Sequence, residues 1–174
     1  MTSAACPTCG RLLDEHNRHL RFKVPEPVLT VPEQDRPSLT WGNDVLMQVQ
    51  GVGAFVRILV PIRLTGGYTV TYGAWLSVHP DDLRRAWEVW MVAAYGDLRL
   101  SGTLANMLPG WESESYGKPV EAAVLNVDHV PYAVESSDEF MRRVIQDQWP
   151  HAIVLDAAVP DTSNFTTDSG RAPA

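Results

Sequence analysis

The sequence predicts an α+β domain: an antiparallel β-sheet of about four to five strands with two helices packed on one face, an N-terminal C-x2-C-G knuckle and a disordered C-terminal tail. Three observations carry that prediction. Residues 44–78 and 119–130 alternate apolar and polar positions and are rich in β-branched and aromatic side chains, the pattern of half-buried strands. Residues 79–96 and 136–149 space their apolar side chains as a helix does. The chain has 174 residues, 45% apolar and 20% charged, which is an ordinary globular mix and enough for one well-buried core.

Four segments follow in order. Residues 1–19 hold both cysteines with little apolar periodicity and read as a knuckle and loop. Residues 20–39 carry prolines at 25, 27, 32 and 37, which remove backbone donors and forbid helix interior, so an extended connector is expected. Residues 40–157 form the α+β core, and the Ser, Thr, Gly and Pro of residues 158–174 suggest a flexible tail.

Within the core, "DVLMQVQ" (44–50), "AFVRILVPIRL" (54–64) and "YTVTYGAWLSV" (68–78) read as three strands joined by the glycine-bearing turns "QGVG" and "TGG". "HPDDLRRAWEVWMVAAYG" reads as a helix, with Pro80 in its first turn, Asp81 and Asp82 at its positive end and Gly96 at its stop. Leu83, Ala86, Trp87, Trp90, Met91 and Ala94 make its apolar stripe, expected to face the core. Residues 97–117 show no period and read as a long connection. "PVEAAVLNVDHV" (119–130) is a fourth strand. Ser136 and Glu139 form a capping box for a second helix that buries Phe140, Met141, Val144, Ile145 and Trp149. "AIVLDAAV" offers a short edge strand.

A formal charge of −7 argues against a surface that binds phosphates over the whole molecule, so nucleic acid is not an expected partner. The exception is local: Arg11, Arg18, Arg21 and Lys23 face only Asp14 and Glu15 in the first 23 residues. No apolar run reaches the ~18 residues of a membrane span, and the N-terminus lacks a secretory apolar core. A cytoplasmic protein without a membrane partner is expected, and in a reducing cytosol a paired cysteine motif is more often a metal or thiol site than a disulfide.

Cys6-Pro7-Thr8-Cys9-Gly10 matches a zinc knuckle, because the tight turn lets two thiolates face one ion. Two ligands are missing, and no other cysteine exists. His16 and His19 are the nearest completion, giving C-x2-C-x6-H-x2-H, although two residues between histidines is tighter than usual. A partial site, a redox-active pair and inert thiols remain open alternatives; the redox reading lacks the strand-to-helix setting that depresses a thiol pKa. Asp128 and His129 could pair as orienter and base, but neighbours on a strand point to opposite faces and no third partner is placed.

At "YGAWLSV" (72–78), "GTLANMLPGW" (102–111) and "DHVPYAVE" (128–135) the chain resembles the bacterial domain of unknown function 2199 family. Cys6, Cys9 and Gly10, then Phe55, Arg57 and Pro61, then Gly73, Trp75 and Ser77, then Gly102, Leu104 and Pro109, and finally Asp128 and His129 carry the likeness, from residue 6 to about residue 150. The chain departs from the family pattern in placing His16 six residues after Gly10 rather than three, and in reading D-H-V-P for D-H-P. The resemblance implies no activity.

Two functional expectations follow. The first is a non-catalytic binding or interaction module with a structural zinc held by Cys6, Cys9, His16 and His19, and with a protein or small molecule as partner. The second is a small enzyme with a cleft near Trp75, Ser77, Asp128 and His129, over which the 97–117 connection would close.

Overall fold

A computed structural model describes residues 4–158 and 164–167 of the chain. In chain order the elements are β1 (His19–Phe22), α1 (Arg36–Leu39), β2 (Thr40–Gly42), β3 (Leu46–Val49), β4 (Gly53–Leu64), β5 (Tyr68–Val78), α2 (Pro80–Val89), β6 (Arg99–Leu104), α3 (Glu112–Ser115), β7 (Pro119–Ala123), β8 (Tyr132–Glu135), α4 (Glu139–Gln146), β9 (Gln148–Trp149), α5 (His151–Leu155) and β10 (Phe165–Thr167).

The class is α+β as expected, but the sheet is larger and closes on itself. β4 and β5 pair antiparallel along their whole length, from Ala54↔Val78 to Leu64↔Tyr68. From β5 the path runs through β6, β7 and β8, and β8 returns to β4 through a parallel pairing of Tyr132 with Leu59, which makes a five-strand barrel. The ends of the two long strands extend past the barrel. There β5 carries β1 and β10, while β4 carries β3, β2 and β9.

Burial explains why an open sheet with one covered face was too simple. Residues Ala54–Val60 of β4 and Val70–Leu76 of β5 are buried without interruption. A strand covered on both faces reads as a continuous apolar run rather than an alternation. Trp75, fully buried, lies in this core with the Arg57 guanidinium 4.2 Å from its ring centre. Arg57 donates from Nε to Asp44 O at 2.7 Å and from Nη1 to Gly73 O at 3.1 Å.

Several local expectations change. The 97–117 segment supplies barrel strand β6 and helix α3 rather than a lid. Gly102 is what this strand requires: a Cβ there would stand 2.1 Å from Ser77 O and 2.9 Å from Leu76 Cγ, so only a glycine lets β6 approach β5 this closely. The strand expected over 119–130 ends at Ala123, because Asn126 accepts N–H bonds from Asp128 and His129 and turns the chain. "AIVLDAAV" supplies helix α5, not an edge strand.

The proline-rich connector is less extended than expected: beyond β1 it forms 3-10 turns at Glu26–Thr30 and Glu33–Asp35 that lead into α1. The first long helix stops at Val89, after which the chain turns to bury Tyr95, whose hydroxyl donates to His129 O at 2.5 Å. Its stripe therefore splits. Leu83 and Ala86 are buried, but Trp87 is 48% exposed and Met91 90%. In α4, Met141, Val144 and Ile145 are buried as expected, and Asp138 caps the helix by accepting the Met141 N–H at 2.9 Å.

Of the tail expected over 158–174, Asn164–Thr167 is ordered: β10 pairs with β1, and the Asn164 side chain accepts from Val24 N–H and donates to Val24 O. Residues 159–163 and 168–174 lie outside the described residues. Among the described residues no helix is long and apolar enough to cross a membrane.

Candidate metal centre

The N-terminal knuckle is built by backbone bonds before any side chain is considered. Gly10 takes φ +75°, a left-handed turn that glycine adopts at no steric cost, and its N–H donates to Cys6 O at 2.9 Å. Cys6 N–H donates to Arg11 O at 2.8 Å, which folds both cysteines over one centre. A 3-10 turn at Leu13–Glu15 then brings His16 back toward them.

The fourth side chain comes from the far end of the chain. β9 pairs with β4 through Arg63↔Gln148 and Leu64↔Trp149, and Thr65 N–H donates to Trp149 O at 3.1 Å. This fixes Trp149 beside the β4–β5 hairpin. Pro150, extended at ψ 142°, then sets His151 as the first residue of α5, facing the knuckle. Arg11 bridges the two segments from the outside by pairing with Glu15 and with Asp156.

Cys6, Cys9, His16 and His151 thus converge, with one ligand atom of each within 4.8 Å of every other. Cys9 Sγ lies 3.3 Å from His16 Nε2, His16 Nε2 lies 3.2 Å from His151 Nδ1, and Cys6 Sγ lies 3.7 Å from His151 Nδ1. Ligand atoms on a tetrahedral zinc, at bond lengths of about 2.0–2.3 Å, stand roughly 3.3–3.8 Å apart. Cys6, His16 and His151 are buried and Cys9 is half-buried. Tyr68 walls the group, its ring centre 4.8 Å from that of His16 and 5.6 Å from that of His151.

The outer nitrogens decide the tautomers. His16 Nδ1 lies 3.1 Å from Leu12 O and His151 Nε2 lies 2.5 Å from Thr65 O. A carbonyl oxygen only accepts, so each of these nitrogens carries the proton. In the neutral rings the inner nitrogens, His16 Nε2 and His151 Nδ1, are then both bare lone pairs. Backbone carbonyls that orient histidines in this way are the usual outer partners of metal ligands. At Cys6, burial opposes ionisation, but the backbone N–H groups of Cys9 and Thr8 and the Cys9 side chain outweigh it and lower the thiol to about 6. The donor set therefore suits a cation.

His19, expected as a ligand, is not part of this group. It opens β1 at an exposed position, next to buried Leu20, and pairs with Thr71 instead. His151, which joins the group, stands 145 residues from Cys6, a separation that carries no motif spacing. One signal pointed to it: the knuckle lacked ligands, and of the five histidines His79 suits a helix start and His129 a turn, which left His151 unassigned.

The alternative cleft does not assemble. Trp75 has no exposed surface, and its backbone N–H donates to the Asn106 side-chain Oδ1 at 2.8 Å. Asp128 is exposed in the 126–129 turn, and His129 Nδ1 lies 2.7 Å from the Tyr132 hydroxyl. A fully buried tryptophan cannot border a cleft that an exposed turn also lines.

Residues 5–147 match the family model described as an uncharacterized protein conserved in bacteria, DUF2199. The chain belongs to the DUF2199 family. The matched span takes in Cys6, Cys9 and His16, and His151 lies beyond its end. No curated protein and no solved structure matches this DUF2199 chain.

Proposed function

We propose that Cys6, Cys9, His16 and His151 hold one zinc ion as a structural Cys2His2 centre, in a cytosolic, non-catalytic interaction module. The observation that carries this reading is the pair of inward imidazole nitrogens 3.2 Å apart, each left unprotonated by the carbonyl that its other nitrogen serves. Two lone pairs at that distance repel unless a metal ion or a shared proton lies between them, and the two cysteine sulfurs on the same centre favour the metal. Two thiols complete the set, and mixed sulfur and imidazole ligands at tetrahedral spacing suit zinc better than calcium or magnesium, which take oxygen.

A structural role follows from the ligand count. A catalytic zinc keeps a position open for water or substrate, whereas this group supplies four side chains and buries three of them. The ion would join three parts of the fold: the knuckle, the β4–β5 hairpin through the Thr65 contact to His151, and helix α5. Residues 4–18 contribute few apolar side chains to the core, so a metal is a fitting anchor for them.

Metal analysis of protein purified without a histidine tag tests the proposal. Near one zinc per chain is expected, lost in Cys9→Ser and in His151→Ala and kept in His19→Ala. Metal-free protein whose N-terminal segment is nonetheless ordered would refute it.

A further inference from the structure

The side of the domain next to α2 carries exposed aromatic surface that the fold does not use. Trp41 on β2 is 49% exposed and Trp87 on α2 is 48% exposed, and their ring centres are 4.8 Å apart at an interplanar angle of 55°. The two rings form an angled aromatic corner rather than a flat platform. With Gln48, Pro80, Leu83 and Arg84 they line a cavity of about 330 Å³. A second groove of about 590 Å³ shares Trp41, Gln48 and Pro80 with it and continues along residues 38–40 and 49–53. The two meet at these shared residues and form one trough.

We propose that this trough binds an uncharged, proline-rich peptide segment in the polyproline II conformation. The proposal rests on the interaction-module reading above and names the partner chemistry for it. Charge selects the ligand first. The protein carries 21 acidic and 14 basic residues, yet among the described residues Arg84 is the only charged side chain lining either part of the trough. Arg84 is itself paired with Asp81 at 3.4 Å in an exposed contact one helical turn apart. A strongly charged partner would find little to pair with there and would lose hydration on entering.

Shape and hydrogen bonding select next. A polyproline II segment is extended, has no internal hydrogen bonds and presents its carbonyls and flat pyrrolidine rings to its surroundings. Angled aromatic rings beside a proline accept such rings, as in other aromatic-lined grooves that read proline-rich segments. The Gln48 and Gln50 amides supply donors for the carbonyls along the same trough. Because the conformation is already populated in the free peptide, little ordering entropy opposes binding. Both tryptophans sit on regular elements, so the corner is formed before any ligand arrives.

The test is a titration of the full-length, metal-loaded protein with a fluorescein-labelled decaproline peptide, followed by anisotropy, with a glycine-serine decamer as control. Saturable binding to decaproline alone is expected, weakened about tenfold or more in Trp41→Ala and in Trp87→Ala, and largely kept in Trp41→Phe. Circular dichroism of each variant separates loss of the site from loss of the fold. Equal binding of both peptides, no binding of decaproline, or binding unchanged in both alanine variants would overturn the proposal. Saturable binding of a neutral oligosaccharide such as chitotriose in place of decaproline would also overturn it, by assigning the corner to a sugar. Zinc stoichiometry measured on the same preparation keeps this outcome apart from the fate of the metal centre.

Discussion

His151→Ala is the sharpest perturbation of the proposed metal centre, because it removes the one proposed ligand that ties the N-terminal segment to the far end of the chain. A ligand that binds only the folded state stabilises it by about 2.7 kcal/mol when its free concentration is one hundred times its Kd. For a domain of this size each kcal/mol moves Tm by roughly 2–4 °C. Metal-loaded wild-type protein should therefore melt ~5–11 °C above the same protein in excess chelator. In His151→Ala that difference should nearly vanish, since three remaining ligands on one short segment no longer connect to α5.

The variant also loses contacts unrelated to metal: a ring that is 3% exposed, packed edge-on to Tyr68 and bonded to Thr65 O. That loss, about 1–3 kcal/mol for a buried hydrogen-bonding group, appears equally with and without chelator. Differential scanning calorimetry of wild type, His151→Ala and His19→Ala, each with and without chelator, separates the two effects. His19→Ala should keep the wild-type difference. A full metal-dependent shift surviving in His151→Ala, or lost in His19→Ala, would refute the assignment.

Gly102→Ala should destabilise the barrel by about 1–3 kcal/mol or more, because the new Cβ would stand 2.1 Å from a backbone oxygen of β5; an unchanged denaturant midpoint would show that β6 can shift at no cost. At Asp138 the Met141 N–H bond lowers the carboxyl pKa first, with Lys118 adding to it. The folded pKa is thus below the unfolded value of about 3.9, so this stabilisation is present above that pH and is lost as pH falls through the folded value. Asp138→Ala should lower stability at pH 7 and flatten the acid limb, while Asp138→Asn should keep much of the cap and lose the pH dependence. Urea unfolding at a series of pH values reads both, and an alanine variant matching wild type throughout would sink the prediction.

The sequence by itself determined the class, the limits of β4 and β5 to within a residue and the burial of Met141, Val144 and Ile145 on α4. These are short-range signals: alternation, helical spacing, a glycine at a required turn. It also held the reason for β6 without revealing it, since Gly102 looks like a strand breaker until β5 is seen pressed against it. Only the tertiary structure decided that the sheet closes, because closure depends on Tyr132 reaching Leu59 across three intervening strands. The same holds for Trp87, whose helical spacing matches that of the core but whose partner is Trp41, a half-exposed ring on another element. His151 is the clearest case. Its spacing to the cysteines carries no pattern, and what brings it to them is the short pairing of β9 with β4, a contact that exists only once the chain is folded.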